Sequence, residues 1–233
     1  MKSKSFLGDR ELGYVENVWT FKSEEHAGKV YDVTKTDEFK ISCGKIDAVI
    51  EKYSCDDAEF AFRVYATVGS INYIVDRVKA KEDVCIYSHF CIENSSKLLS
   101  VNVADKSKLV VRNGNDAFKF FRLAGELDGN DVLASGGLLL PDGVAENGVD
   151  TGMSFYTGLH NFGKDHTAIF CICTGHSDSI PGWHMKRTDD GGYLAEPKGK
   201  VGSYKLFSQD DMITVVSLDD QNEKVVIDLK KYI

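Results

Sequence analysis

The 233-residue sequence predicts a mainly β protein, a jelly-roll-like antiparallel β-sandwich. Three observations carry that prediction. Apolar residues recur at alternate positions through short runs, the period of a half-buried strand. The chain has only three prolines, Pro141, Pro181 and Pro197, so most of it can enter hydrogen-bonded ladders. Turn-forming pairs such as Gly69-Ser70 and Asn113-Gly114 separate successive runs.

Taken in order, residues 1–13 read as a short N-terminal arm, followed by strands over 15–21 and 28–34. Between Ser42 and Cys55 the period changes. Ile46, Val49, Ile50 and Tyr53 recur at i, i+3, i+4 and i+7, with Lys45, Asp47, Glu51 and Lys52 around the other side. With Ser42 as a cap, that spacing predicts a short amphipathic helix over 44–53. The clearest strand is 60–68, where Phe60, Phe62, Val64, Ala66 and Val68 alternate with Arg63 and Thr67. Gly69-Ser70 then predicts a hairpin into 71–78, with Gly69 at positive φ.

Further strands are expected over 84–92, 97–103, 107–112 and 117–123, the last two joined by Asn113-Gly114. Residues 128–152 are rich in glycine and form the longest weakly structured region. Short strands at 138–140, 167–174, 201–207, 212–218 and 225–229 complete the set, the last two flanking the polar turn Asp219-Asp220-Gln221-Asn222. No internal repeat divides the chain, which predicts a single domain over 1–233.

Acids outnumber bases 36 to 28, a formal charge of −8, and the bases are interleaved among the acids. A concentrated basic surface for phosphate backbones is therefore missing, and nucleic acid is not an expected direct partner. No run approaches the roughly 20 apolar residues of a membrane span, and the N-terminus lacks the apolar core of a signal peptide. A cytosolic protein is expected, with its six cysteines, Cys43, Cys55, Cys85, Cys91, Cys171 and Cys173, reduced.

The densest set of chemically capable side chains is His160, His166, Cys171, Cys173, His176 and His184. A zinc site needs three or four such groups converging tetrahedrally. No Cys-x-x-Cys or His-Glu-x-x-His spacing is present, and Cys171 and Cys173 share one face of an apolar strand with Ile169. The expectation is packed thiols and surface imidazoles, with no metal ligand and no catalytic residue. Gly175-His176-Ser177-Asp178 holds the letters of a catalytic triad, but no Gly-x-Ser-x-Gly elbow occurs. His176-x-Asp178 followed by His184 is too tightly spaced for an iron-oxygenase ligand set. Asp128-Gly129-Asn130-Asp131 and Asp189-Asp190-Gly191 are turns without the full calcium loop. No glycine-rich phosphate loop or dinucleotide fingerprint is present.

Several blocks, in order, resemble the cypovirus polyhedrins: residues 15–21 with a Trp near the middle, 38–42 and 45–53, then 87–90, 113–115, 150–153 and 168–176. The resemblance implies a structural protein, not an enzyme. It would be a compact sandwich forming homotrimers that pack into a crystalline lattice around virus particles, in occlusion bodies of the host cytoplasm. Such crystals dissolve in an alkaline insect midgut. Some members hold nucleoside triphosphates between subunits, a possible structural ligand here without residues assigned to it. The arm is shorter than in the best-known members, where it carries a helix linking trimers. Two alternatives of other classes are a metal-assisted or Cys/His hydrolase using the 160–184 cluster, and a lectin-like binding module.

Overall fold

The computed structural model describes residues 3–7, 10–15, 19–22, 33–93, 99–105, 108–113, 115–124, 152–176, 178–197 and 200–233. Strands β1 (Ser3–Leu7) and β2 (Arg10–Val15) pair antiparallel, so the described residues of the expected arm are strand. The main sheet contains β3 (Trp19–Lys22), β4 (Thr34–Cys43), β5 (Ile46–Ser54), β6 (Ala58–Val68), β7 (Ile71–Glu93), β8 (Leu99–Asp105), β9 (Lys108–Asn113), β10 (Asp116–Ala124) and β11 (Gly152–His176). Their order is β4-β5-β6-β7-β11-β10-β9-β8, with β3 also paired to β7. A smaller sheet follows, a meander of β12 (His184–Arg187), β13 (Tyr193–Glu196), β14 (Tyr204–Gln209), β15 (Met212–Ser217) and β16 (Lys224–Asp228). Every pairing is antiparallel, and the chain fills the large sheet before it starts the small one.

The two sheets share one apolar core. From the large sheet it takes Ile46, Ile50, Phe62, Val64, Tyr73, Ile169 and Cys171; from the small one Leu206, Ile213, Val215, Val225 and Ile227. Each such side chain contributes about 1.5–3 kcal/mol by leaving water. Tyr73 spans the gap: its hydroxyl donates to the Tyr204 carbonyl at 3.0 Å and accepts from the Ala195 amide at 3.2 Å. The polar tip is thereby satisfied inside the core.

The helix expected over 44–53 is a strand. Ile46, Ala48 and Ile50 alternate into the inter-sheet core, while Tyr53 and Val49 face the opposite side of the sheet. Glu51, on a face that reads as solvent in a helix, is buried and accepts from Lys35 and Tyr53 at 2.7 and 2.6 Å. With both faces covered, the apolar positions satisfy a 3.6-residue period by coincidence, and ladders to β4 and β6 take the backbone groups. Ser42 is not a cap; its hydroxyl donates to Asp47 at 2.6 Å across the β4–β5 turn.

The strands expected at 71–78 and 84–92 are one strand that turns back on itself. Asp76 and Ser88 both lie on β7, and a straight strand rising about 3.3 Å per residue would separate them by roughly 40 Å. Yet Ser88 donates to Asp76 at 2.5 Å. The bend is where β7 and β11 lose register, between the pairs Lys79–Asp165, Val84–Gly163 and Ile86–Leu159. Beyond it, Val84 and Ile86 pack in the same cluster as Ile74, Val78, Phe120 and Phe170. The β7–β11 ribbon thus folds over the outer face of the large sheet and buries it.

The hairpin turn at Gly69 has φ +55°, as the sequence predicts. Strands β12 and β13 have no counterpart in the sequence prediction; their short runs lack clear alternation. Residues 28–32 of one expected strand, the expected strand at 138–140 and all but the last residue of the glycine-rich 128–152 lie outside the described residues.

Candidate binding cleft

The structure does not gather the 160–184 cluster. Cys171 and Cys173 point from β11 into the inter-sheet core with their sulfurs 3.7 Å apart. Burial, with Cys173 adding to it, pushes the Cys171 thiol well above its ordinary range, so it is a packed apolar group rather than a nucleophile. His166 lies on the opposite face by strand alternation, 2% exposed, with Nε2 2.7 Å from the Gly163 carbonyl. Its Nδ1 is buried without a hydrogen-bond partner. His176 ends β11 on the surface beside exposed Asp178, and His184 is exposed on the edge strand β12. The side chain of His160 lies outside the described residues, as does Ser177. Among the described residues no three His, Cys, Asp or Glu side chains are grouped to hold a metal ion, and no helix is long and apolar enough to cross a membrane.

A different set of side chains does converge, at the seam between the sheets. Strand alternation on β6 and β7 turns Phe60 and Arg77 toward the small sheet, where Asp211 sits in the β14–β15 turn. That turn is shaped by Asp210 at φ 51° and is anchored by the Leu229 amide, which donates to the Asp211 carbonyl at 2.9 Å. Arg77 Nε donates to Asp211 at 2.9 Å, and Nη1 pairs with Asp165 and reaches the His166 carbonyl at 3.3 Å. The guanidinium lies 5.4 Å from the Phe60 ring centre, a cation–π distance. Lys79 pairs with Glu59 at 2.8 Å, and Lys230 approaches Asp211 at 3.8 Å. These groups, with Ile233, line an open cleft of about 420 Å³.

Chemically, the cleft offers fixed donors and acceptors in equal measure, against a partly apolar wall. Its described lining holds no Ser, Thr, Cys, Tyr or His side chain. Among the described residues the imidazole beside the cleft, His166, is enclosed, and burial holds its pKa below the ordinary value. Sequence reading missed Arg77 and Asp211, although a signal existed. Arg77 occupies the core-facing phase set by Ile71, Tyr73 and Val75, so a charged side chain stands where an apolar one is due.

No family model matches the chain, and no curated protein matches it. Solved structures share its fold. The crystal structure of heparinase III superposes with a TM-score of 0.51 at 12% identity, covering 90% of this chain and 29% of that one. Heparan sulfate lyase HepC from Pedobacter heparinus gives a TM-score of 0.51 at 8% identity, covering 90% of this chain and 30% of the other. The chain therefore spans less than a third of these proteins' length. At such identities the likeness is one of fold.

Proposed function

We propose that the chain is a polysaccharide-associated β-sandwich module, the supporting rather than the catalytic part of a polysaccharide-lyase type of protein. One observation carries this reading: nine-tenths of the chain superposes on part of heparinase III and of the heparan sulfate lyase HepC. A supporting role agrees with a seam cleft whose described lining has no Ser, Thr, Cys, Tyr or His side chain and whose carboxylates are paired with cations. Its net charge of −8 argues that attraction to a polyanion is not what holds a saccharide, so contact depends on hydrogen bonds to sugar rings.

The test is made on the whole chain. It is run through gels containing heparan sulfate, chondroitin sulfate or a neutral glucan, and is separately incubated with each polysaccharide while ultraviolet absorbance follows unsaturated sugar products. Retardation by at least one polysaccharide, undiminished by moderate salt, with no product from the chain alone, is the expected result. Unchanged mobility in every gel overturns polysaccharide association, and product formation by the chain alone overturns the supporting role.

The ordered sequence blocks favour a second proposal, a self-assembling occlusion-body matrix of homotrimers around virus particles in a host cytoplasm, with nucleoside triphosphates as structural ligands. Expression in insect cells separates the two. Microscopic crystals sedimenting at low speed support the matrix, whereas a chain that stays in the supernatant supports the module.

A further inference from the structure

We infer that the seam cleft is a binding site for an uncharged sugar ring, with Nη2 of Arg77 as its fixed donor. The guanidinium side chain is only 8% exposed and is held on three sides: by Asp211 at Nε, by Asp165 and the His166 carbonyl at Nη1, and by the Phe60 ring beneath. Nη2 makes no hydrogen bond among the described residues, yet it is not one of the enclosed unpartnered atoms, so it opens into the cleft that Arg77 lines. A donor immobilised in this way binds an acceptor without the loss of side-chain freedom that a surface lysine suffers.

The charges select the class of ligand. The side chains of Arg77, Lys79 and Lys230 are matched by those of Glu59, Asp165 and Asp211, so the lining side chains carry no net charge. A carboxylate or sulfate reaching Nη2 would lie beside the carboxylates of Asp165 and Asp211, and an ammonium group would meet Arg77. A hydroxyl or amide on an uncharged ring both donates and accepts, and so pairs with either kind of group at once. The volume falls at the small end of the about 300–1,000 Å³ of ligand pockets, and the open side lets a ring enter as one unit of a longer chain. Glycan chains that alternate acidic with uncharged sugars supply such a ring. The inference rests on the polysaccharide reading for its choice of probe alone.

Amide chemical shifts of the whole chain are followed while N-acetylglucosamine is added, with glucuronate and glucosamine as charged comparators. Saturable shifts in the millimolar range are expected at Phe60, Lys79, Asp165 and Asp211, with both charged sugars at least about fivefold weaker. Lys230→Ala removes an exposed group at the mouth and is expected to weaken binding about threefold without moving the melting temperature. Arg77→Lys keeps the charge but lacks Nη2; a folded Arg77→Lys protein is expected to lose the saturable response. No saturable shift at these residues, tighter binding of glucuronate, or full binding by Arg77→Lys would each overturn the site. Retardation by polysaccharide without shifts here overturns the cleft while leaving the module reading intact; shifts here without retardation do the reverse.

Discussion

Replacing Asp76 by Ala tests whether the buried carboxylate that pairs with Arg63 within the sheet, and accepts from Ser88 across the bend, stabilises the covered face. Arg63 is fully buried and Asp76 is 2% exposed; Nε and Nη2 of Arg63 donate to the two carboxylate oxygens at 2.6 and 2.7 Å, a two-point fork. Burial alone would lower the Arg63 pKa, but Asp76 reverses this and leaves it raised. The same carboxylate accepts from Ser88 on the far side of the bend. Truncation leaves a guanidinium in the interior without its main counter-charge, and breaking a buried pair in this way costs about 3–5 kcal/mol. That is a large share of the about 5–15 kcal/mol by which a domain is stable. At about 2–4 °C per kcal/mol for a chain of this size, the melting temperature should fall by roughly 6–20 °C. Urea denaturation followed by circular dichroism gives the free energy directly. Ser88→Ala removes one hydrogen bond and should cost about 1–3 kcal/mol, less than Asp76→Ala, and the double mutant should cost less than the sum. A loss below about 1 kcal/mol in Asp76→Ala would show that neither the buried pair nor the Ser88 hydrogen bond stabilises the covered face.

Other outcomes follow from the same structure. A Cβ at Gly202 would lie 2.2 Å from the Ala195 carbonyl oxygen, whereas at Gly69 it would meet nothing within 4 Å. Gly202→Ala should therefore destabilise by more than Gly69→Ala, whose cost is the about 1–2 kcal/mol of a left-handed residue; equal melting temperatures would contradict the close approach. In native protein treated with iodoacetamide, Cys43 should be labelled before Cys55, Cys171 and Cys173, the last two reacting only after unfolding; early labelling of either, read by mass spectrometry, would contradict their burial. Burial first, then the neighbouring Tyr65 phenol and the Glu51 carboxylate, raises the Tyr53 pKa, and burial raises that of Tyr73. Both stay neutral in the fold but ionise near pH 10 when unfolded, so their contribution is intact below about pH 10 and declines as pH rises beyond it. Stability measured from pH 7 to 12 should fall on the alkaline side, less steeply in Tyr73→Phe. A flat profile would contradict the burial of these phenols.

What the sequence revealed depended on which residue types fill the two faces of a strand. Residues 212–218 alternate because one face is buried and the other is more open. Residues 60–68 are buried on both faces, yet still read as a strand because the second face holds Ala61, Arg63 and Thr67 rather than large aliphatic side chains. On β5 both faces are buried, so Ile46, Val49, Ile50 and Tyr53 lost the period-two signal and read as a helix. The bend in β7 could not be read locally, since it depends on pairing with β11 about eighty residues further along. The same distance hid the cleft. Arg77, Asp165 and Asp211 come from three separate segments, and the conspicuous His and Cys residues were conspicuous by composition alone. Cys171 and Cys173 were correctly placed on one face of an apolar strand, because that inference needed only the local alternation.

Electrophoresis of the intact chain through gels without glycan and with heparan sulfate, chondroitin sulfate or a neutral glucan tests the central claim most directly. A polysaccharide-associated module is retarded by at least one of them, and because the chain carries a charge of −8 the retardation survives added salt. The same mobility in every gel, or retardation that disappears as salt is raised, would contradict the account.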